Sequence, residues 1–158
     1  MSGHGTISHL ERREIQAPMA SCLIRGFADV LGLGKAMEIA TKAIEGDALA
    51  AGRETAMRYG GNSLLDLARV VREVWAADGA LTVDMLEESE ERLSFDVTSC
   101  RYAELYDRLG LKELGPCLSC SRDGPFARGF NPRIRLVRTR TIMEGALSCD
   151  FRFTLERE

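Results

Sequence analysis

The chain has 158 residues, 45% hydrophobic and 28% charged, with a formal net charge of −3 and a pI near 5.5. That length lets one domain bury most of its apolar surface, and the composition is that of a soluble globular protein. The acidic balance argues against nucleic-acid binding, which wants a basic footprint, and no apolar run approaches the roughly 20 residues of a membrane helix.

The N-terminus, MSGHGTISHLERREIQ, lacks the apolar core of a secretory signal. The chain is therefore expected to be cytoplasmic, with its five cysteines reduced; the odd count agrees. Residues 1–8 read as a disordered leader, and His4 and His9 as solvated rather than ligating. The whole chain reads as one domain over 1–158.

Next comes LERREIQAPMASCLIRGFADVLGLG, where Pro18 opens or kinks a helix. Cys22, among Met19, Leu23 and Phe27, reads as a small buried apolar residue. Gly34 to Tyr59 carries Ile39, Ala40, Ala43 and Ile44 at helical spacing and ends at YGGN. The clearest helix is NSLLDLARVVREVWAADG. Ser63 and Asp66 resemble a capping box, and Leu64, Leu67, Ala68, Val71, Val74 and Trp75 form one stripe. Its GGNS start is too little for a phosphate loop.

The period then changes. Leu81, Val83 and Met85 alternate, a charged turn follows, and Leu93, Phe95 and Val97 alternate again, which predicts an antiparallel hairpin with one wet face. SCRYAELYDRLG is a short helix stopped by Gly110, and 111–129 is helical in pieces. NPRIRLVRTRTIMEG and LSCDFRFTLERE read as two more strands. In the last, Cys149, Phe151, Phe153 and Leu155 share one face and Asp150 and Arg152 the other. The expected architecture is α+β, with N-terminal helices packed on an antiparallel sheet of about four strands.

Four cysteines fall in the second half. Cys100 follows a strand and opens a helix, where unpaired amides favour a thiolate. Cys117 and Cys120 form C-x-x-C, a spacing that lets two thiols reach one metal. Asp123 lies about one turn beyond Cys120, and Cys149 faces inward. Cys100, Cys120 and Cys149 can converge with ordinary packing, although the spacing is not that of a zinc ribbon. Buried filler is the plain alternative.

VTSCRYAELYDRLGLKELGPCLSCSRDGPFARGFNPRIRLVRTRTIMEGALSCDFRF resembles the L-2-amino-thiazoline-4-carboxylic acid hydrolase family. The features are a cysteine opening a helix before ELYDRLGL, then C-x-x-D, FNP and GALSCDFRF. Here they are Cys100, Cys120 with Asp123, Asn131-Pro132, and Gly145 with Cys149-Asp150-Phe151. The resemblance spans roughly residues 60–155, and Cys117 lies outside the pattern. It implies hydrolytic opening of a cyclic amidine, in which an aminothiazoline carboxylate becomes carbamoyl-cysteine.

Two routes suit that chemistry. In one, Cys120 or Cys149 attacks the ring carbon, with Asp123 as general base or amidinium anchor and Cys100 in the same site. In the other, Cys100, Cys120 and Cys149, or two of them with Asp123, hold zinc and leave a position for hydroxide. With both histidines in the leader, acid–base work falls to Asp123, Glu144 or Asp150. Glu144 also reads as a wet strand-end carboxylate, and Asp150 as an outer-face partner of Arg152. Arg133, Arg135, Arg138 and Arg140 read as a solvated face paired with acids such as Glu87 and Glu88; functionally, Arg138 or Arg140 could grip a substrate carboxylate, with Arg122 as rival. A non-enzymatic module binding zinc, an iron–sulfur cluster or a small ligand competes with the hydrolase reading, and a structural zinc domain docking a partner is the third. The expected partner is a small molecule, with no nucleic acid and no membrane; a homo-oligomer is compatible with all three.

Overall fold

The structure is a computed structural model and describes residues 6–157. Helix α1 (His9–Leu31) begins at a capping box. Ser8 Oγ accepts from the Glu11 amide at 3.1 Å, and the Glu11 carboxylate accepts from the Ser8 amide at 2.6 Å. The helix therefore starts directly after the expected leader, with Ser8 as its cap and His9, expected to be solvated, as its first residue; His4 lies outside the described residues. Pro18 sits within α1 without ending it. The buried face of α1 is Ala17, Ser21 and Ile24, spaced to let a neighbouring helix approach closely. Cys22 is on the opposite face and exposed, as are Met19, Leu23 and Phe27, which corrects the buried reading of that thiol.

Helix α2 (Leu33–Tyr59) ends at Gly60, whose φ of 66° is the left-handed cap that glycine takes without strain. Helix α3 (Leu64–Val70) opens on the Ser63–Asp66 capping box, with bonds of 3.1 and 3.0 Å. It runs into a π-turn over Val71–Trp75, a widening of the helix often found beside functional sites.

Four strands form one sheet in the order β1-β2-β4-β3: β1 (Leu81–Glu88), β2 (Arg92–Cys100), β3 (Ile134–Val137) and β4 (Cys149–Leu155). All neighbours are antiparallel. Between β2 and β3 the chain forms α4 (Arg101–Arg108), α5 (Gly115–Leu118) and α6 (Asp123–Phe130). The architecture is α+β, helices against a four-stranded antiparallel sheet, as the alternation of Leu93, Phe95, Val97 with Cys149, Phe151, Phe153 requires. Those six residues are buried and pack with Leu64, Leu67, Val71, Phe130 and their neighbours. Fully burying each large side chain contributes about 1.5–3 kcal/mol. A second cluster joins α1 and α2 to α4 and α5 through Ala17, Tyr102, Tyr106, Leu114 and Leu118.

Two glycines set the depth of α6. A Cβ at Gly52 of α2 would overlap the Phe126 carbonyl oxygen, and one at Gly129 of α6 would overlap the Leu49 carbonyl oxygen. Each helix thus presents bare backbone to the other, which fixes where α6 begins.

The strand expected from 131 to 145 is much shorter. β3 stops at Val137, and the chain leaves the sheet through a 3₁₀ turn at Ile142–Glu144. The cause is Asp150. Its carboxylate accepts from the Thr139 and Arg140 amides, both at 2.9 Å, and from the Thr139 hydroxyl at 2.5 Å. Those amides are therefore not available to a ladder. Asp150 is buried in this turn rather than paired with Arg152 outside, and Arg152 bonds Asp96 at 2.7 Å. Burial alone would raise the Asp150 carboxyl; these donors outweigh it and bring it down to about 2.

Candidate functional site

A cavity of about 100 Å³ lies between the helical layer and one end of the sheet. Its apolar wall includes Trp75 from the π-turn, Val97 from β2, Phe126 from α6 and Phe151 from β4. Trp75 and Phe126 meet edge to face with centroids 5.4 Å apart. The polar wall is built from five separate places in the chain. Cys100 is the last residue of β2 and the N-cap of α4, its sulfur accepting from the Ala103 amide at 3.4 Å. Cys120 and Asp123 flank a single 3₁₀ turn that leads into α6. Arg138 is the first residue past β3, and Cys149 opens β4, its sulfur accepting from the Ile142 amide at 3.2 Å. His9 and Arg13, one turn apart on α1, close the cavity from the helical side.

Asp123 and Arg138 form an ion pair at this wall. Arg138 also donates to the Cys120 carbonyl at 3.0 Å, and its guanidinium stacks 5.0 Å from the centre of the Phe151 ring. The two side chains are only 15% and 23% exposed, so the pair is poorly screened. Burial raises the Asp123 carboxyl above the usual carboxylate range, and the Arg138 charge opposes that rise. Burial disfavours the Arg138 cation, but Asp123 and Cys120 outweigh it and raise its pKa.

The thiols are neutral at rest. Burial pushes Cys100 up to about 11, against the pull of the Ala103 amide. The expectation that a helix start would favour its thiolate is thus overturned, because desolvation exceeds what the capped helix end returns. Cys120 is raised by burial and then by the negative charge of Asp123. Cys149 is raised too, again chiefly by burial.

The remaining expected residues are placed as follows. Arg122 lines the cavity and pairs with the exposed Asp47. Cys117 is buried elsewhere and receives the Thr41 hydroxyl at 3.3 Å, so the C-x-x-C pair splits. Arg140 bonds Ser148 at 3.1 Å and lies 3.9 Å from Asp96, outside the cavity wall. Glu144 is also outside it, accepting from the Thr141 hydroxyl at 2.8 Å. Arg133 and Arg135 turn to the chain end: Arg133 bonds the Glu156 carbonyl at 2.9 Å, and Arg135 pairs with the Glu156 carboxylate at 2.9 Å. Glu88 pairs with Arg72 from α3's continuation, so the arginine strand does not pair with the β1 acids as expected.

Among the described residues, no group of three or more histidine, cysteine, aspartate or glutamate side chains is arranged to hold a metal ion. The zinc and iron–sulfur readings of Cys100, Cys120 and Cys149 find no support in the arrangement of these side chains. The three sulfurs border one cavity, but two are tied to backbone amides and Asp123 is tied to Arg138. Also among the described residues, no helix is long and apolar enough to cross a membrane.

His9 and Arg13 were not expected here. The signal was present in the sequence: Ser8-His9-Leu10-Glu11 is the same S-x-x-acid pattern as Ser63 to Asp66. Read as a helix start, it puts residues 9 and 13 on one face.

Solved structures that share the fold include two of different description. One is the phenol-responsive sensory domain of the transcription activator PoxR with phenol, at a TM-score of 0.56 and 10% identity, covering 88% of this chain and 73% of that one. The other is a trafficking protein particle complex subunit 3 from Naegleria fowleri covalently bound to palmitic acid, at a TM-score of 0.56 and 13% identity, covering 92% of this chain and 96% of that one. No curated protein matches the sequence. A family model described as L-2-amino-thiazoline-4-carboxylic acid hydrolase matches residues 12–153, nearly the whole chain and every cysteine in it. The chain belongs to the L-2-amino-thiazoline-4-carboxylic acid hydrolase family.

Proposed function

We propose that the cavity binds a small cyclic amidine carrying a carboxylate, or a related C–N compound, and opens it by hydrolysis. The observation that carries this reading is the half-buried Asp123–Arg138 pair, opposite charges on one wall of a mostly apolar cavity beside Cys120 and Cys149. A carboxylate with reduced solvation suits an amidinium, and guanidinium groups suit a substrate carboxylate. Family membership supports hydrolysis as the reaction class.

For an aminothiazoline carboxylate the balance is simple. Water adds to the carbon between nitrogen and sulfur. Its oxygen becomes the carbamoyl oxygen, and the ring carbon–sulfur bond breaks. One proton ends on the ring nitrogen and the other on the released thiol. Asp123 is the general base or the amidinium anchor; its raised pKa moves it toward the range in which a carboxylate accepts protons usefully near neutrality. In the covalent variant, Sγ of Cys120 or Cys149 adds to the same carbon and its proton goes to the departing ring sulfur. Water then displaces the enzyme sulfur. Cys100 supplies a neutral thiol to the wall. Arg122 and Arg138, each held by its own carboxylate, line the same cavity and add positive potential to it.

A second reading takes the cavity as a holding site without turnover. It is favoured by the three raised thiols, none of which is a resting thiolate near neutral pH. Both fold neighbours are named with an organic ligand, phenol in one and palmitic acid in the other.

The test is to titrate L-2-amino-thiazoline-4-carboxylate against its amide while following release of free thiol. Selective binding with thiol release supports hydrolysis. Selective binding without it supports the holding reading. Equal binding of acid and amide, with neither ring opened, removes the proposal.

A further inference from the structure

The cavity wall carries three guanidinium groups, Arg13, Arg122 and Arg138, and one carboxylate, Asp123. Asp123 is taken by Arg138, and Arg122 is taken by Asp47 from outside. Arg13 is different. It is 7% exposed, yet among the described residues no carboxylate lies within ion-pair distance of it; Asp47, held by Arg122, acts on it only from farther off. Its partners are neutral: Gln16 Oε1 accepts at 2.8 Å, and His9 Nε2 lies 3.3 Å away. His9 cannot balance the charge, because burial and then Arg13 itself hold its imidazole down to about 3, so it is neutral at physiological pH. Burial, followed by Arg122, lowers Arg13 only to about 10, and the guanidinium stays charged. A buried cation with two neutral partners retains donors and charge for an anion.

We infer that Arg13 is the anion anchor of the cavity, the group that holds the carboxylate of the small molecule bound there. The sequence around the cysteines offers Arg122, Arg138 and Arg140 for this role, but the first two are already paired and the third is outside. The guanidinium fork can meet a carboxylate with two parallel N–H donors while His9 and Gln16 steady its other edge. Cys120, Asp123 and Arg13 then surround one ligand: amidine or ring toward Asp123, acid toward α1. This assignment deepens the proposed function, because it names the carboxylate contact that reading requires. It also stands for a carboxylate that lacks an amidine.

Calorimetric titration with two matched pairs separates the two ideas. One pair is L-2-amino-thiazoline-4-carboxylate and its amide. The other is thiophene-2-carboxylate and its amide, a five-membered ring with no amidine. Wild-type protein should prefer each acid over its amide by at least about tenfold, as a charge-assisted bidentate contact provides. Arg13→Gln should bind acid and amide alike, and Arg13→Lys should recover part of the preference. Arg122→Gln should keep most of it. In case Arg13→Gln fails to fold, the Arg13 Nε–H resonance of the wild type is followed by NMR and should shift with thiophene-2-carboxylate but not with the amide. Preference for the acid retained in Arg13→Gln, or an Arg13 resonance indifferent to the acid, overturns the anchor. Arg13-dependent binding of thiophene-2-carboxylate with no opening of the thiazoline ring leaves the anchor standing and removes the hydrolase reading.

Discussion

His9 and Asp150 are titratable groups moved in the same direction by different means. Burial disfavours the His9 imidazolium, helped by Arg13, Arg122 and Arg12, and the folded value is about 3 against an ordinary 6.5. The folded state therefore binds fewer protons than the unfolded chain between those values. Stability from neutral His9 is complete above about pH 6.5 and is lost as pH falls toward 3, at up to about 1.4 kcal/mol per pH unit. We expect the melting temperature to drop between pH 7 and pH 5 and expect His9→Gln to flatten that slope; an unchanged slope would mean the imidazole is charged in the fold. Asp150 holds its turn through three donors, so Asp150→Asn should cost about 1–2 kcal/mol near neutrality. Because its folded value of about 2 lies below the ordinary 3.8, that cost should shrink as pH falls from about 4 to 2. A urea midpoint series on both proteins measures it. Parity along the strand sets Asp150 opposite to Cys149 but does not reveal that two amides eleven and ten residues upstream turn to meet it.

At the scale of elements, the site depends on α2 holding α6. Gly52 and Gly129 touch backbone across that contact, whereas a Cβ at Gly46, also on α2, meets nothing within 4 Å. Gly52→Ala and Gly129→Ala should each destabilise by about 1–3 kcal/mol and weaken ligand binding, since Asp123 starts α6. Gly46→Ala should be neutral or stabilising by up to about 1 kcal/mol. Thermal melts of the three variants decide it; equal behaviour would mean the helices can separate without cost. The hairpin, the sheet's inner face and α3 were legible because period and capping agree there. The expected strand over 131–145 is longer than β3 because nothing in the run from Arg133 to Thr141 marks where Asp150, eleven residues beyond Thr139, takes its amides out of the sheet. Cys22 was misplaced because α1 buries small residues and leaves Met19, Leu23 and Phe27 outside, the reverse of the usual helix face.

For the whole molecule, a cavity wall is assembled from α1, β2, the α6 start, the end of β3 and β4. Half of that wall could be seen in the sequence. Cys100, Cys120, Asp123 and Cys149 were marked by position in their elements, and the family pattern joins them. The other half came from α1, whose His9 and Arg13 are distant in sequence and sit where a polar leader seemed to be. What no single-chain pattern conveys is which arginine is already paired, and that decides the charge a ligand must bring. The most direct measurement of the central claim uses Asp123→Asn. Thiol release from L-2-amino-thiazoline-4-carboxylate and thermal melting are followed on the same preparations. The removed charge leaves Arg138 without its partner, so some loss of stability is expected, but turnover should fall by at least about a hundredfold, as loss of a positioned acid–base group does. A folded Asp123→Asn protein that opens the ring at the wild-type rate would contradict the account.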